Sequence, residues 1–150
     1  MTHVRKTDPR EPDARALLEA SQSIMRALFD PKDNHFLSLD ALAAHDVAFF
    51  LADQDGQAVG CGALKYCDGY GEIKSMFVTE HARGSGAADA LMARLEETAR
   101  AQKQRALRLE TGDTLIAAQR LYARHGFEMR GPFGAYEATE RSVFMEKRLF

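Results

Sequence analysis

The spacing of apolar positions divides the chain into blocks of opposite character. From Asp13 onward, Leu17, Leu18, Ile24, Met25 and Leu28 recur at helical intervals, and Pro31 closes the segment. Residues 32–46 are polar around Phe36, Leu37, Leu39 and Leu42, which predicts a second short helix capped near Ser38. The period then changes. Val47 to Leu51 is nearly continuous apolar, Asp55-Gly56 is a hairpin signal, and Ala58 to Tyr66 predicts a second strand. The turn Asp68-Gly69 leads to a third strand over Glu72 to Val78. Helical spacing returns over Gly84 to Arg100, where Ala88, Leu91, Leu95 and Thr98 or Ala99 share one face. A short strand at Ala106–Glu110, a helix from Leu115 to His125 stopped by Gly126, and strands at Phe127–Gly131 and Ser142–Leu149 complete the chain.

The predicted order is α-α-β-β-β-α-β-α-β-β. Early hairpins and late crossover helices imply an α/β fold with one mixed sheet and helices on both faces. The hairpin half should be antiparallel, with the Glu72–Val78 and Ala106–Glu110 strands as parallel neighbours. A length of 150 residues suits one domain over 1–150, and residues 1–12 read as a loosely ordered polar tail.

Composition narrows the function. With 45% hydrophobic and 28% charged residues, disordered, collagen-like and coiled-coil chains are excluded. A formal charge of −2 lacks the basic excess of a general nucleic-acid binder, and no run approaches the ~20 apolar residues of a membrane span. Met1 to Pro12 has no apolar core and so does not read as a secretory signal. Cys61 and Cys67, on one strand, would lie ~20 Å apart, too far to bridge, which suggests a reducing cytoplasm. No histidine has metal-ligand spacing, so no metal is expected; the oligomeric state stays open, a homodimer included. The near-zero total conceals an asymmetry: residues 8–55 hold ten acidic and four basic side chains, and residues 81–108 three acidic and six basic.

The chemistry concentrates after the third strand. Arg83-Gly84-Ser85-Gly86-Ala87-Ala88 opens a helix, where unpaired N–H groups and the helix dipole suit a phosphate. Gly84 and Gly86 remove Cβ atoms that would hold a phosphate off, and Arg83 adds charge. A lone Gly-x-Gly is a weak signal, because glycine is an ordinary turn residue. It fits neither a Walker loop, which needs a following Lys, nor a dinucleotide fingerprint, which needs a third glycine after the first strand.

A second element, Ala118-Gln119-Arg120-Leu121-Tyr122-Ala123-Arg124-His125-Gly126-Phe127, follows some 35 residues later. Together the two segments resemble the Gcn5-related N-acetyltransferase (GNAT) superfamily. Its pyrophosphate pattern Arg/Gln-x-x-Gly-x-Gly/Ala is matched by Arg83, Gly86 and Ala88. Its later helix, Ala-x-x-Leu-Tyr-x-x-x-Gly-Phe, is matched by Ala118, Leu121, Tyr122, Gly126 and Phe127. The resemblance covers roughly residues 47–150. Glu72–Val78, Leu109–Gly112, Pro132–Tyr136 and Ser142–Lys147 also look like a subgroup of small bacterial members, some labelled as transacetylases of an indole acid. Fold-level similarity does not fix that substrate.

The resemblance implies a cytoplasmic enzyme moving an acetyl group from acetyl-CoA directly to an amine of a small molecule or peptide. Backbone groups of Met76, Phe77 and Val78 would pair with the pantetheine arm, and Arg83 to Ala88 would hold the phosphates. The same three side chains can also serve as core, and Arg100, Lys103, Arg105 and Arg108 as solvated surface. Tyr122 is the candidate acid for the departing thiolate; the alternative is a partly buried core tyrosine. Glu72 is the candidate base, on a strand face shared with Lys74, Met76 and Val78; the alternative is a carboxylate pairing Lys74 or Arg108. Glu110, on the adjoining strand, is the second candidate. Phe29, Phe133 and Tyr136 are expected to wall the acceptor pocket. Leu115 stands where many relatives carry a cofactor-contacting Asn. Cys61 and Cys67 bear no mark of an activated nucleophile. The acidic bias of residues 8–55 favours a cationic amine. The competing reading is a non-catalytic acetyl-CoA-binding sensor module, which would not need both Tyr122 and Glu72.

Overall fold

The computed structural model describes all residues, 1–150. It contains a seven-stranded mixed sheet in the order β1-β2-β3-β4-β5-β7-β6. The strands are β1 (Thr2–Lys6), β2 (Val47–Gln54), β3 (Gln57–Tyr66), β4 (Tyr70–Val78), β5 (Ala106–Gly112), β6 (Glu128–Arg130) and β7 (Ser142–Arg148). The helices are α1 (Pro12–Leu28), α2 (Leu39–Leu42), α3 (Ala87–Ala101) and α4 (Ile116–Arg124). Ser38 caps α2 through its Oγ, which accepts from the Ala41 N–H.

The continuous apolar run of β2 follows from its burial on both faces. Ala48, Phe50 and Ala52 join Leu91, Met92 and Leu95 of α3, whereas Phe49 and Leu51 join Ala14, Leu17 and Leu18 of α1. The expected topology holds: β2, β3 and β4 are antiparallel neighbours, and β4 and β5 are parallel.

Two expectations are corrected. The first concerns the polar N-terminus. Thr2–Lys6 is a strand, pairing antiparallel with Phe50–Gln54 along the sheet edge. Its side chains gave no apolar signal because an edge strand is held largely by backbone pairing, with Arg5 bonded to Asp53 at 2.7 Å and only Val4 packed on the core. Removing residues 1–6 is expected to lower Tm by at least about 5 °C in a thermal melt, whereas a loose tail would be lost without effect.

The second concerns the faces of β4. Between Cys61 and Ala63 of β3, the facing residues of β4 run from Phe77 to Lys74, so β4 carries an extra residue. Ser75 sits at this bulge with φ 55°. The alternation reverses there: Ile73, Met76 and Val78 belong to the α3 side, and Phe77 to the α1 side. Glu72 and Lys74 therefore do not share a face with Met76 and Val78.

Candidate active site

β4 and β5 begin as neighbours and then part. Tyr70, Gly71 and Glu72 pair with Ala106, Leu107 and Arg108, and the pairing stops although both strands continue. The gap beyond Glu72 opens a cavity of about 710 Å³. Every residue from Ile73 to Val78 lines it, so the unpaired edge of β4 forms one wall, with Glu110, Thr111 and Gly112 of β5 opposite. Met76, Phe77 and Val78 are thus placed where a ligand can reach their backbone groups.

One end of the cavity meets the start of α3. Arg83, Gly84, Gly86 and Ala88 line it. Gly84 and Gly86 have φ of 79° and 94°, a region that side-chain-bearing residues rarely adopt. Nothing in the protein crowds either Cα, so backbone conformation, not internal packing, explains the glycines. Gly86 caps the helix, and its carbonyl accepts the first intrahelical bond, from Ala90 N–H. The earlier N–H groups of the first turn have no helical partner, which with the dipole makes an anion site. Ser85 and Ala87 do not line the cavity. The Ser85 hydroxyl donates to the Ala82 carbonyl and accepts from Gln54, and Ala87 is buried against Val59 and Ala82.

Three of the six basic residues in 81–108 make internal contacts. Arg94 donates to the Val4 carbonyl, Arg100 pairs with Glu96, and Arg108 pairs with Glu146 at 2.7 Å. Arg83 remains exposed at the cavity, and Arg124, which sequence reasoning did not single out, lines it while paired to Asp89. Leu115 precedes α4 and lines the cavity as well.

Tyr122 lines the cavity from α4 and is 6% exposed. Its placement follows from the Gly-Phe stop: Gly126 at φ 94° ends the helix, Phe127 N–H donates to the Tyr122 carbonyl, and the two rings lie 5.8 Å apart. Burial, and then the charge of nearby Glu110, push its phenol well above the usual tyrosine range, so it stays protonated at neutral pH.

The two candidate carboxylates differ sharply. Glu72 is 7% exposed and does not line the cavity. It accepts from the Tyr136 hydroxyl at 2.5 Å and lies 3.2 Å from Lys74 Nζ. Because of the bulge at Ser75, its side chain lies on the opposite face of the strand from Met76 and Val78. Glu110 does line the cavity, accepts from the Ser142 hydroxyl at 2.9 Å, and is raised to about 7, principally by burial.

Of the expected acceptor walls, Phe29 lines the cavity. The tip of its ring lies against Gly112, where a Cβ would come within 2.3 Å of it, and the Arg141 guanidinium lies over the ring, 5.1 Å from its centroid. Phe133 and Tyr136 lie behind the wall, in an aromatic group with Tyr70 and Phe144. Residues Asp33, His35 and Phe36, in the polar stretch before α2, line the cavity; no spacing in the sequence marked them. The Cys61 thiol, fully buried and pushed up to about 12, donates to the Ser75 carbonyl, far from the behaviour of an activated nucleophile.

Comparison with known proteins gives the family and the fold. The family model "Acetyltransferase (GNAT) family" matches residues 14–127. The chain is 39% identical to a protein named IAA acetyltransferase from Azospirillum brasilense, over 97% of each chain. It is 31% identical to an uncharacterized N-acetyltransferase from Bacillus subtilis, over 98% of this chain and 99% of that one. Among solved structures, a candidate acyl-CoA N-acyltransferase from Klebsiella pneumoniae superposes with a TM-score of 0.85 at 34% identity, covering 100% of this chain and 99% of the other.

Proposed function

The chain belongs to the acetyltransferase (GNAT) family, and from that premise we propose that it transfers an acetyl group from acetyl-CoA to an amine. The observation that carries this reading is the parting of β4 from β5 into a cavity that ends on the two-glycine start of α3. An extended thioester fits such a slot: its phosphates belong at Arg83, Gly84, Gly86 and Ala88, and its pantetheine arm along Met76–Val78, which leaves the sulfur near Tyr122.

In the proposed reaction an ammonium loses a proton to Glu110, directly or through a water, and the freed nitrogen bonds to the acetyl carbon. The C–S bond breaks with its electron pair left on sulfur, the Tyr122 hydroxyl proton neutralises the thiolate, and the nitrogen, cationic after its attack, gives up its second proton through water to restore the phenol. Glu110 replaces Glu72 as the preferred base, because it lines the cavity and its raised pKa lets it release and take protons near neutrality. The acceptor is read as a cationic amine on a small molecule or peptide, since Asp33 and Glu110 put acidic groups at that end. The acceptor in the Azospirillum relative's name is not carried over, because site chemistry and not fold sets specificity.

Millimolar acetyl-CoA is expected to raise Tm by about 5–10 °C, the effect of ligand near 100 Kd on a domain of this size. Gly86→Ala should lose most of that rise, as alanine is strained at φ 94°. No rise in the unaltered protein would overturn the reading. Thiol release from acetyl-CoA with a panel of amines separates an enzyme from a binding module: tight binding with no release by any amine would favour the module.

A further inference from the structure

Lys74 is the one lysine that lines the cavity, and it lies at the acceptor end. An ammonium there invites assignment as a receptor for an acceptor carboxylate. Its contacts oppose that. Nζ donates to the His35 carbonyl at 3.0 Å and to the Tyr136 hydroxyl at 2.6 Å, and it pairs with Glu72 at 3.2 Å. Two of the three N–H bonds of the ammonium thus have acceptors, and the Glu72 carboxylate balances its charge. Tyr136 in turn donates to Glu72 at 2.5 Å, so Lys74, Tyr136 and Glu72 form a closed triangle. Side-chain exposure of 10% for Lys74 and 9% for Glu72 keeps the ion pair from solvent.

The triangle and the His35 carbonyl bonded to it join three pieces of chain. Glu72 and Lys74 come from β4, His35 from the stretch before α2, and Tyr136 from the β6–β7 connection. His35 packs edge-on against Tyr136 with centroids 5.3 Å apart, which ties the two loops to each other as well as to the strand. Both loops adjoin the acceptor end, through Asp33, His35 and Phe36 on one side and, on the other, through Arg141 over Phe29 and Ser142 bonded to Glu110.

We propose that Lys74 is a positioning residue: its ammonium, paired within the protein, holds the 30–38 and 131–141 segments against β4 and sets the charge facing Glu110. The groups that face Glu110 are Lys74 and Glu72 from β4, Asp33 from the first segment, Tyr122 from α4, Tyr136 from the second segment and Ser142 from β7. Lys74 is the cation among them, and it opposes the two carboxylates. The inference rests on the proposed transfer only in calling this end of the cavity the acceptor end, and its test needs no acceptor.

The test is a carboxyl carbon NMR titration of Glu110, with amide hydrogen exchange, on the full chain and on Lys74→Met, Lys74→Arg and Tyr136→Phe. Glu110 in the unaltered protein should titrate near 7. Lys74→Met should move its midpoint up by about half a unit or more, as a nearby cation is lost. It should also speed exchange in 30–38 and 131–141 about tenfold, with α3 amides unchanged. Lys74→Arg should restore the midpoint, because it restores the charge, and Tyr136→Phe should loosen the loops while leaving the midpoint closer to the unaltered value. An unchanged midpoint and unchanged loop exchange in Lys74→Met would overturn the proposal. Uniformly faster exchange across the sheet in Lys74→Met, with Tyr136→Phe like the unaltered protein, would also overturn it, since the lysine would then support the fold and not these loops. Acetyl-CoA thermal stabilisation, read separately, reports on the transfer reading and not on the triangle.

Discussion

Tyr122→Phe is expected to lower kcat about 100-fold while leaving acetyl-CoA affinity within about twofold, the range typical of a lost proton donor. Phenylalanine keeps the ring and its packing on Phe127, so the fold should survive. The chemical case depends on environment. In water a thiolate is too weak a base to draw a proton from phenol readily. Inside the cavity burial keeps the phenol protonated and so able to donate, and desolvation raises the proton affinity of a thiolate that departs without water around it. Rapid-quench measurement of CoA release, together with direct titration of acetyl-CoA binding, checks both halves of the expectation. Unchanged turnover would make Tyr122 a core residue of α4 and remove it from the reaction.

The two ends of the cavity differ in how far the sequence discloses them. The cofactor end is local. Arg83 to Ala88 are consecutive, and the glycines are demanded by backbone angles that few other residues adopt, so spacing alone marks the place. Tyr122 is fixed by a helix stop four residues later, again a short-range signal. The acceptor end is assembled from Phe29, Asp33, His35, Lys74, Glu110 and Ser142, which lie on five separate segments and meet only when the sheet forms. A period-two reading of β4 put Glu72 on the same face as Met76, and it fails because of the extra residue at Ser75. Serine at positive φ leaves no sequence mark, since the strain is supported by neighbours, the Cys61 thiol on the Ser75 carbonyl among them. β1 was missed for a related reason: backbone pairing at an edge does not require an apolar pattern.

Glu110→Gln should separate activity from stability in opposite directions. Ionised Glu110 is the proposed proton acceptor, so kcat/KM of the unaltered protein should climb with pH through about 7 and level off above it. The variant should lose that limb and fall by at least about 100-fold at pH 8. Stability should respond the other way. The carboxyl is raised from 4.5 to about 7 on folding, so the native state holds this proton more tightly than the unfolded chain does. Its contribution is complete below about 4.5 and is lost as pH rises through 7. Above pH 7 the native protein carries a partly buried carboxylate at a cost, after allowance for solvent screening, on the order of 2 kcal/mol. Glutamine carries no charge and can still accept from the Ser142 hydroxyl. Melts at pH 5 and pH 8 should therefore show little difference between the two proteins at the lower pH and a higher Tm for the variant at the upper, by about 4–8 °C. A variant that loses activity and stability together at pH 8 would mean that Glu110 serves the fold. A variant that is stabilised and inactive would mean that the protein keeps a destabilising carboxylate at this position because the transfer needs it.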